Sequence, residues 1–144
     1  MIEQDTIKLL RECDAGTKMG IASIDETLDY VHDQTLRKAL MDCKHEHELL
    51  KSEIEILLNQ YNDDGKDPNP MAKSMSWIKT NVQLIMDESD KTIANLITDG
   101  CNMGVKSLNR YLNQYEAADE KSKDITKRLI RLEEQLVIHI REFL

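Results

Sequence analysis

Residues 36–61 read LRKALMDCKHEHELLKSEIEILLNQY, and the spacing of the apolar side chains in this stretch decides the fold class. The stripe positions alternate by four and three residues, which is the heptad repeat of a helix that packs against other helices along its whole length. His47 interrupts this row, so the sequence predicts a long core helix over about 34–61 with one histidine facing inward. The row consists of Leu36, Leu40, Cys43, His47, Leu50, Ile54, Leu57 and Tyr61.

Three more segments show the same alternation and predict long helices over about 3–31, 90–117 and 120–143. In the first of them, Asp14 and Thr17 occupy two stripe positions between apolar neighbours. Residues 31–34 leave room only for a tight turn between the first two helices, so these two helices must pack antiparallel.

The clearest break in the chain is the stretch 61–70, which concentrates both prolines and a glycine among Asn and Asp. A short amphipathic helix around Trp77 is predicted over 71–86, and its length of ~25 Å could carry the chain back along the other helices. We therefore expect residues 1–144 to form one all-α domain, a ferritin-like antiparallel four-helix bundle with an extra short crossover helix. The alternative, in which 71–86 is the first part of a kinked third helix, remains open.

Composition excludes several classes of protein. The chain has 19 basic and 27 acidic residues, a net charge of -8, and no cluster of Lys or Arg that would favour nucleic acid as a partner. No apolar run reaches the roughly 18 residues that a membrane span needs, and the first residues are acidic rather than signal-like, so we expect a cytoplasmic protein with no membrane partner. The 3 cysteines are isolated, which indicates neither a disulfide framework nor a zinc knuckle.

The candidate functional residues are the polar interruptions of the helical stripes. Placed by height along the predicted helices, Asp14, Glu46, His47 and Glu133 fall in one middle layer, together with Thr17 and Cys101. Carboxylates and imidazoles from facing helices form metal sites in bundle cores, so these four residues are the predicted ligands of an iron, manganese or zinc ion. The competing interpretation is a hydrogen-bonded core histidine with no ligand.

A di-iron oxidase centre requires Glu-x-x-His pairs, because the i, i+3 spacing aims both ligands at the same ions. Lys44 stands three residues before His47 and Leu136 stands three residues before His139, so the pattern is missing. No catalytic residues are predicted, and the sequence favours a protein that is not an enzyme.

The order of landmarks resembles that of the uncharacterised bacterial ferritin-like proteins. The shared landmarks are the turn from Gly65 to Pro68, then Trp77, then a helix carrying Gly100, Leu108 and Tyr111. The resemblance implies a ferritin-like bundle of undetermined activity and names no substrate. The family commonly has Glu after the glycine of the third long helix, where this chain has Cys101, and that departure weakens a metal role carried over from the family.

Three functions follow as hypotheses. The first is a non-enzymatic bundle, or one with a vestigial metal site, that acts through protein interactions, as a small homo-oligomer such as a dimer in a bacterial cytoplasm. The second is a metal-binding bundle with a redox or storage role. The third is a carrier of a small ligand near Gly100 and Gly104, where missing side chains could leave space.

Overall fold

The computed structural model describes residues 2–68 and 89–144, and in these ranges the fold is all-helical with no strand. The described residues form four long helices, and a 3-10 turn over Arg141–Phe143 follows the last of them. The long helices are α1 (Ile2–Leu28), α2 (Gln34–Asn59), α3 (Asp90–Gln114) and α4 (Glu120–Ile140). The short helix expected over 71–86 lies outside the described residues.

Each of the last three helices begins at a polar cap that the sequence supplies. Asp33, Ser89 and Asp119 have extended backbones, and their side chains accept hydrogen bonds from backbone N–H groups of the first helical turn. These N–H groups have no partner within their own helix, so a capping oxygen stabilises each helix start by about 1 kcal/mol. Because Ser89 caps its first turn, α3 begins at Asp90.

The helices end two or three residues earlier than the stripes suggested. At the end of α1, the N–H of Tyr30 donates to the carbonyl of Thr27 at 2.9 Å, a tightened turn that stops the α-helix. The Arg37 guanidinium then donates to the carbonyls of Leu28 and Val31, both at 3.0 Å. A cation from α2 therefore satisfies carbonyls that the end of α1 leaves without helical partners.

One carboxylate joins the α1–α2 turn to the start of α3. Asp90 accepts hydrogen bonds from the backbone N–H of His32 at 2.8 Å and of Asp33 at 3.0 Å. The start of α3 therefore lies at the same end of the molecule as the start of α2.

A matching contact occurs at the opposite end, between the start of α1 and the α3–α4 turn. The N–H of Ala117 donates to the Asp5 carboxylate at 3.0 Å, and the N–H of Asp119 donates to Thr6 Oγ1 at 2.8 Å. Together the two end contacts make α2 and α3 run in the same direction, while α1 and α4 run in the other. The end of α2 and the start of α3 thus lie at opposite ends of the four helices.

Buried apolar side chains form two separate clusters along the helix axes. The cluster beside the α1–α2 turn contains Ile24, Val31, Leu36, Leu40, Cys43, Ile93, Ala94, Leu96, Ile97, Cys101, Leu136 and Ile140. The cluster toward the α3–α4 turn contains Leu10, Cys13, Leu50, Ile54, Leu57, Leu58, Leu108, Ile125, Leu129 and Ile130. Each of the four helices contributes to both clusters, and no helix within the described ranges is long and apolar enough to cross a bilayer.

The chain that follows α2 is held against α1 by a buried carboxylate. Asp14 is fully buried, and its Oδ2 accepts a hydrogen bond from the Lys66 N–H at 3.0 Å. The same oxygen forms an ion pair with Lys18 Nζ at 2.7 Å. Lys18 Nζ also contacts the Lys66 carbonyl and the Asp67 carboxylate, both at 3.4 Å. Burial alone would lower the pKa of Lys18, but Asp14 and Asp67 outweigh burial and raise it, so the ammonium stays charged.

Gly65 is required at this contact for two reasons. Its φ of +88° lies in the left-handed region, and a Cβ added to it would overlap the Asp14 carboxylate. We expect Gly65→Ala to lower the free energy of unfolding by about 1–3 kcal/mol, because backbone strain and a clash with a buried charge add together.

The matched control for this substitution is Gly16→Ala in α1, where the new Cβ would meet only Leu129 at an ordinary 3.5 Å. Helix propensity alone should then make the control neutral or stabilising by up to about 1 kcal/mol. Urea denaturation followed by circular dichroism measures both variants. Equal stability of the two would show that the Asp14 contact does not constrain residue 65.

Candidate functional site

A polar layer separates the two apolar clusters, and every long helix contributes to it. His47 lies between Cys43 and Leu50 on α2, and Glu133 lies between Ile130 and Leu136 on α4. On the other two helices the corresponding stretches contain glycine, Gly20 on α1 and Gly104 on α3. The layer is therefore the place where the structure brings the predicted inward-facing histidine to a carboxylate.

His47 is 1% exposed and hydrogen-bonded through both ring nitrogens. Nδ1–H donates to the backbone carbonyl of Cys43 at 2.8 Å, and Nε2–H donates to Glu133 Oε1 at 2.8 Å. The Cys43 sulfur lies 3.5 Å from Nδ1, on the same side of the ring as the carbonyl. With both nitrogens acting as donors, the arrangement fits the imidazolium form of the ring.

The electrostatics of the pair favour that charged form. Burial by itself would lower the pKa of His47, but the contacts with Cys43 and with the Glu133 carboxylate outweigh burial and raise it to about 10. We attribute the raised pKa of His47 to Glu133, because its carboxylate oxygen lies 2.8 Å from Nε2 and attracts the proton of the ring. The result is a buried ion pair that links α2 to α4.

Glycine at position 20 makes room for this pair. A Cβ added there would lie 2.8 Å from both Cδ2 and Nε2 of His47, which is closer than carbon atoms pack. At Gly104 the same addition would lie 3.8 Å from the Glu133 carboxylate, an ordinary contact. The α1 backbone is therefore in direct contact with the edge of the imidazole. On α3, by contrast, a larger residue than glycine would fit beside the Glu133 carboxylate.

Two buried thiols, those of Cys101 and Cys13, are held protonated. Burial is the main cause that raises the pKa of Cys101, and the charge of Glu133 with its hydrogen bond to the thiol adds to it. Cys13, in the cluster toward the α3–α4 turn, has its pKa raised to about 12, mainly by burial, and its sulfur contacts the Thr126 hydroxyl at 3.1 Å. A nucleophilic cysteine needs an accessible thiolate, and these environments oppose that ionisation.

The four predicted metal ligands do not share one location. His47 and Glu133 are in contact, whereas Glu46, the neighbour of His47, is exposed on the surface. Asp14 precedes Gly20 by six residues, about 9 Å along α1, and binds Lys18 and Lys66 instead. Across residues 2–68 and 89–144, no group of three or more His, Cys, Asp or Glu side chains is placed to hold a metal ion.

Asp14 keeps one feature that its partners do not explain. Its Oδ1 atom is buried and accepts no hydrogen bond from the described residues, while Oδ2 takes both the Lys18 and the Lys66 contacts. Thr17, predicted in the same layer as Asp14, donates its hydroxyl to the Asp14 backbone carbonyl at 2.9 Å. Asp14 thus holds the chain after α2, while the bond of Thr17 lies within α1.

Gly20 was absent from the sequence prediction of the layer, and Gly104 was expected for a different reason. The signal for Gly20 was available, since a glycine inside a strong helical pattern costs about 1 kcal/mol and usually has a packing cause. Gly104 was predicted to leave space for a ligand, and the carboxylate of Glu133 lies beside it. A surface groove lies elsewhere, between α1 and α2, lined by Lys18, Ile21, Ala22, Asp25, Glu48, Lys51 and Ser52.

Comparison of the chain with family models, with curated proteins and with solved structures finds no match.

The His47–Glu133 pair predicts how stability depends on pH. The pKa of His47 in the folded protein, about 10, lies above its unfolded value near 6.5, so the protonated ring stabilises the fold fully below pH 6.5. That contribution disappears as the pH rises through about 10. We expect the free energy of unfolding to fall by about 3 kcal/mol across this window.

Other groups titrate in the same window, so the comparison that matters is with Glu133→Gln, which keeps the volume of the side chain and removes its charge. Urea denaturation at several pH values should show a shallower decline for the variant, and ring nitrogen chemical shifts of His47 should report a lower pKa. Parallel declines in parent and variant would contradict an ion pair at this site.

A second prediction concerns the space beside the ring. Gly20→Ala should destabilise the fold by about 1–3 kcal/mol, because the imidazole cannot move away without breaking its hydrogen bonds to Cys43 and Glu133, and α1 cannot move away without losing its packing against the core. Gly104→Ala is the matched control, and helix propensity should make it neutral or slightly stabilising. Thermal unfolding of the two variants measures the difference, and a Gly20→Ala variant as stable as the control would refute the close contact.

Proposed function

We propose that this chain is a non-enzymatic, ferritin-like four-helix bundle of the bacterial cytoplasm that acts by binding protein surfaces, its own included, and whose polar core layer is structural. The ferritin-like part of the proposal rests on helix direction. Bundles in which the second and third helices are parallel need one long connection, and this is the connectivity of ferritin-like folds. The contacts of Asp90 at one end and of Asp5 at the other support that arrangement.

One observation carries the structural role of the core layer. Both ring nitrogens of His47 are already bonded within the chain, at 2.8 Å to Cys43 and at 2.8 Å to Glu133. An ion at Nε2 would have to displace the Glu133 hydrogen bond and would gain a ligand set of two residues. A site of that size is below what structural or catalytic zinc and iron centres use.

A metal-binding bundle with a redox or storage role, holding iron, manganese or zinc, is the second candidate. The observation in its favour is the Nδ1–H of His47, which donates to a backbone carbonyl, as the second nitrogen of a ligating histidine usually does. In a metal-binding bundle of this kind, His47 Nε2 and the Glu133 carboxylate would bind the ion, and Cys101 lies close to that carboxylate. Asp14 and Glu46 would have no part in it.

Elemental analysis separates the two candidates. Protein purified without metal-affinity steps, incubated anaerobically with Fe(II), Mn(II) or Zn(II) and then desalted, should carry far less than one ion per chain. Stoichiometric metal in the parent would overturn the proposed structural role of the layer.

The control variants identify where any metal binds. The double substitution His47→Ala, Glu133→Ala removes the pair, and Glu133→Gln is the milder variant should the double variant unfold. His139→Ala, Glu134→Ala alters an exposed histidine and an exposed carboxylate on α4 and should change nothing in either case. Metal that is lost only with the first two variants would establish the second candidate.

A further inference from the structure

The outer face of α2 carries large apolar side chains that the protein leaves in contact with solvent. Leu49 is 50% exposed, Ile56 is 62% exposed and Met41 is 51% exposed. Leu49 and Ile56 are seven residues apart, so they lie almost in line, two helical turns or about 10 Å from each other. In the part of the chain that the structure describes, no helix covers this face.

A second heptad seam runs along this face. His45, Leu49, Ser52, Ile56 and Asn59 are all exposed and follow one another by four, three, four and three residues. This is the spacing with which a helix packs lengthwise against another helix, and here it is repeated on the side opposite the buried stripe of α2. The helix therefore has the pattern for two helical partners, and among residues 2–68 and 89–144 only the inner partner is present.

The acidic side chains around the seam lie beside cations of the same chain. Asp42 pairs with Lys38 at 2.7 Å and Glu55 pairs with Lys51 at 3.0 Å, both along α2 itself. The Glu53 carboxylate accepts two hydrogen bonds from the Arg128 guanidinium of α4, at 2.9 and 2.7 Å, and these bonds are the main cause that lowers the pKa of Glu53.

Two further contacts extend this pattern. Lys44 Nζ lies 3.7 Å from Glu48 and 2.6 Å from Asp25 of α1. The pKa of Arg128 is raised mainly by Glu53, and Glu46 is close enough to add to that effect. Each acidic side chain that borders the seam thus has a cation beside it, whereas the whole chain carries a net charge of -8.

That local balance decides which partner fits. Two copies of an acidic protein repel one another over most of their surfaces, and they can meet most closely where the acidic side chains have cations beside them. A strongly basic partner would instead be drawn to acidic surface without nearby cations. On the outer face of α2 the acidic side chains do have cations beside them, so this face suits a second copy of the chain.

We infer that the outer face of α2 is the contact surface for a second copy of this chain, with the two α2 helices antiparallel and Leu49 of each copy packed against Ile56 of the other. The inference rests on the proposed function and names the partner for it. A two-fold axis near Ser52 makes the contact self-complementary, because the same two apolar residues then meet twice. Ser52 is small, so it allows the helices to approach at the axis.

Sedimentation velocity over a concentration series tests the inference on the full chain. The parent should sediment as a dimer, and both Leu49→Asp and Ile56→Asp should weaken dimerisation by at least about tenfold, because each places two new charges in the apolar centre of the contact. Both positions are exposed, so circular dichroism should show unchanged helicity in each variant.

Met103→Asp is the matched control, since it adds the same charge at a 63% exposed methionine on α3 and should leave the dimer intact. A parent that stays monomeric at every concentration, or a dimer that Met103→Asp disrupts and the α2 variants do not, would overturn the inference. Either result is independent of the elemental analysis, so failure of this contact and failure of the structural role of His47 are distinguishable.

Discussion

The buried ion pair of His47 and Glu133 constrains how the four helices pack. Removing an imidazolium and a carboxylate from water is costly, and the cost is offset only when both groups are close together and their remaining hydrogen-bonding atoms are satisfied. The carbonyl of Cys43 and the thiol of Cys101 complete that set. The pair then requires glycine on α1, and it divides the apolar core in two.

Such a pair gives the helices a register that apolar contacts alone do not impose. Leucine and isoleucine rows tolerate a shift of one heptad with modest loss, because one apolar side chain replaces another. A shift of α4 relative to α2 would move Glu133 away from His47 and leave two buried charges unpaired. A buried polar contact at one level is the best-attested device for selecting one alignment of helices among several.

Much of the fold could be predicted from the sequence because the heptad stripes are local. Four long helices and the antiparallel α1–α2 pair follow from residue spacing and from a short turn, and the structure confirms the four helices. The ends of the helices were harder to predict from the sequence, since they depend on contacts such as that of Arg37 with the carbonyl of Leu28. The predicted crossover helix over 71–86 stays a prediction, as does the metal assignment.

The candidate site could be predicted only in part, and the reason is physical. His47 and Glu133 were placed in one layer from height along the helices, and they do meet. Height says nothing about direction, so Glu46 was placed with its neighbour although adjacent residues on a helix point about 100° apart. Asp14 was misleading in another way, because its partner Lys66 lies in a loop 52 residues away, and no periodicity reports such a contact.

The two end contacts have a consequence for how the gene can change in length. Asp90 at the start of α3 binds the α1–α2 turn, and the α3–α4 turn binds Asp5 and Thr6 of α1. Contacts at both ends therefore fix the length of α1 relative to the length of α3. Inserting or deleting one residue within either helix would break one of these contacts and also rotate half of that helix by about 100°. Viable insertions and deletions should therefore accumulate between the end of α2 and the start of α3, and the long helices should keep a constant residue count wherever this architecture is inherited.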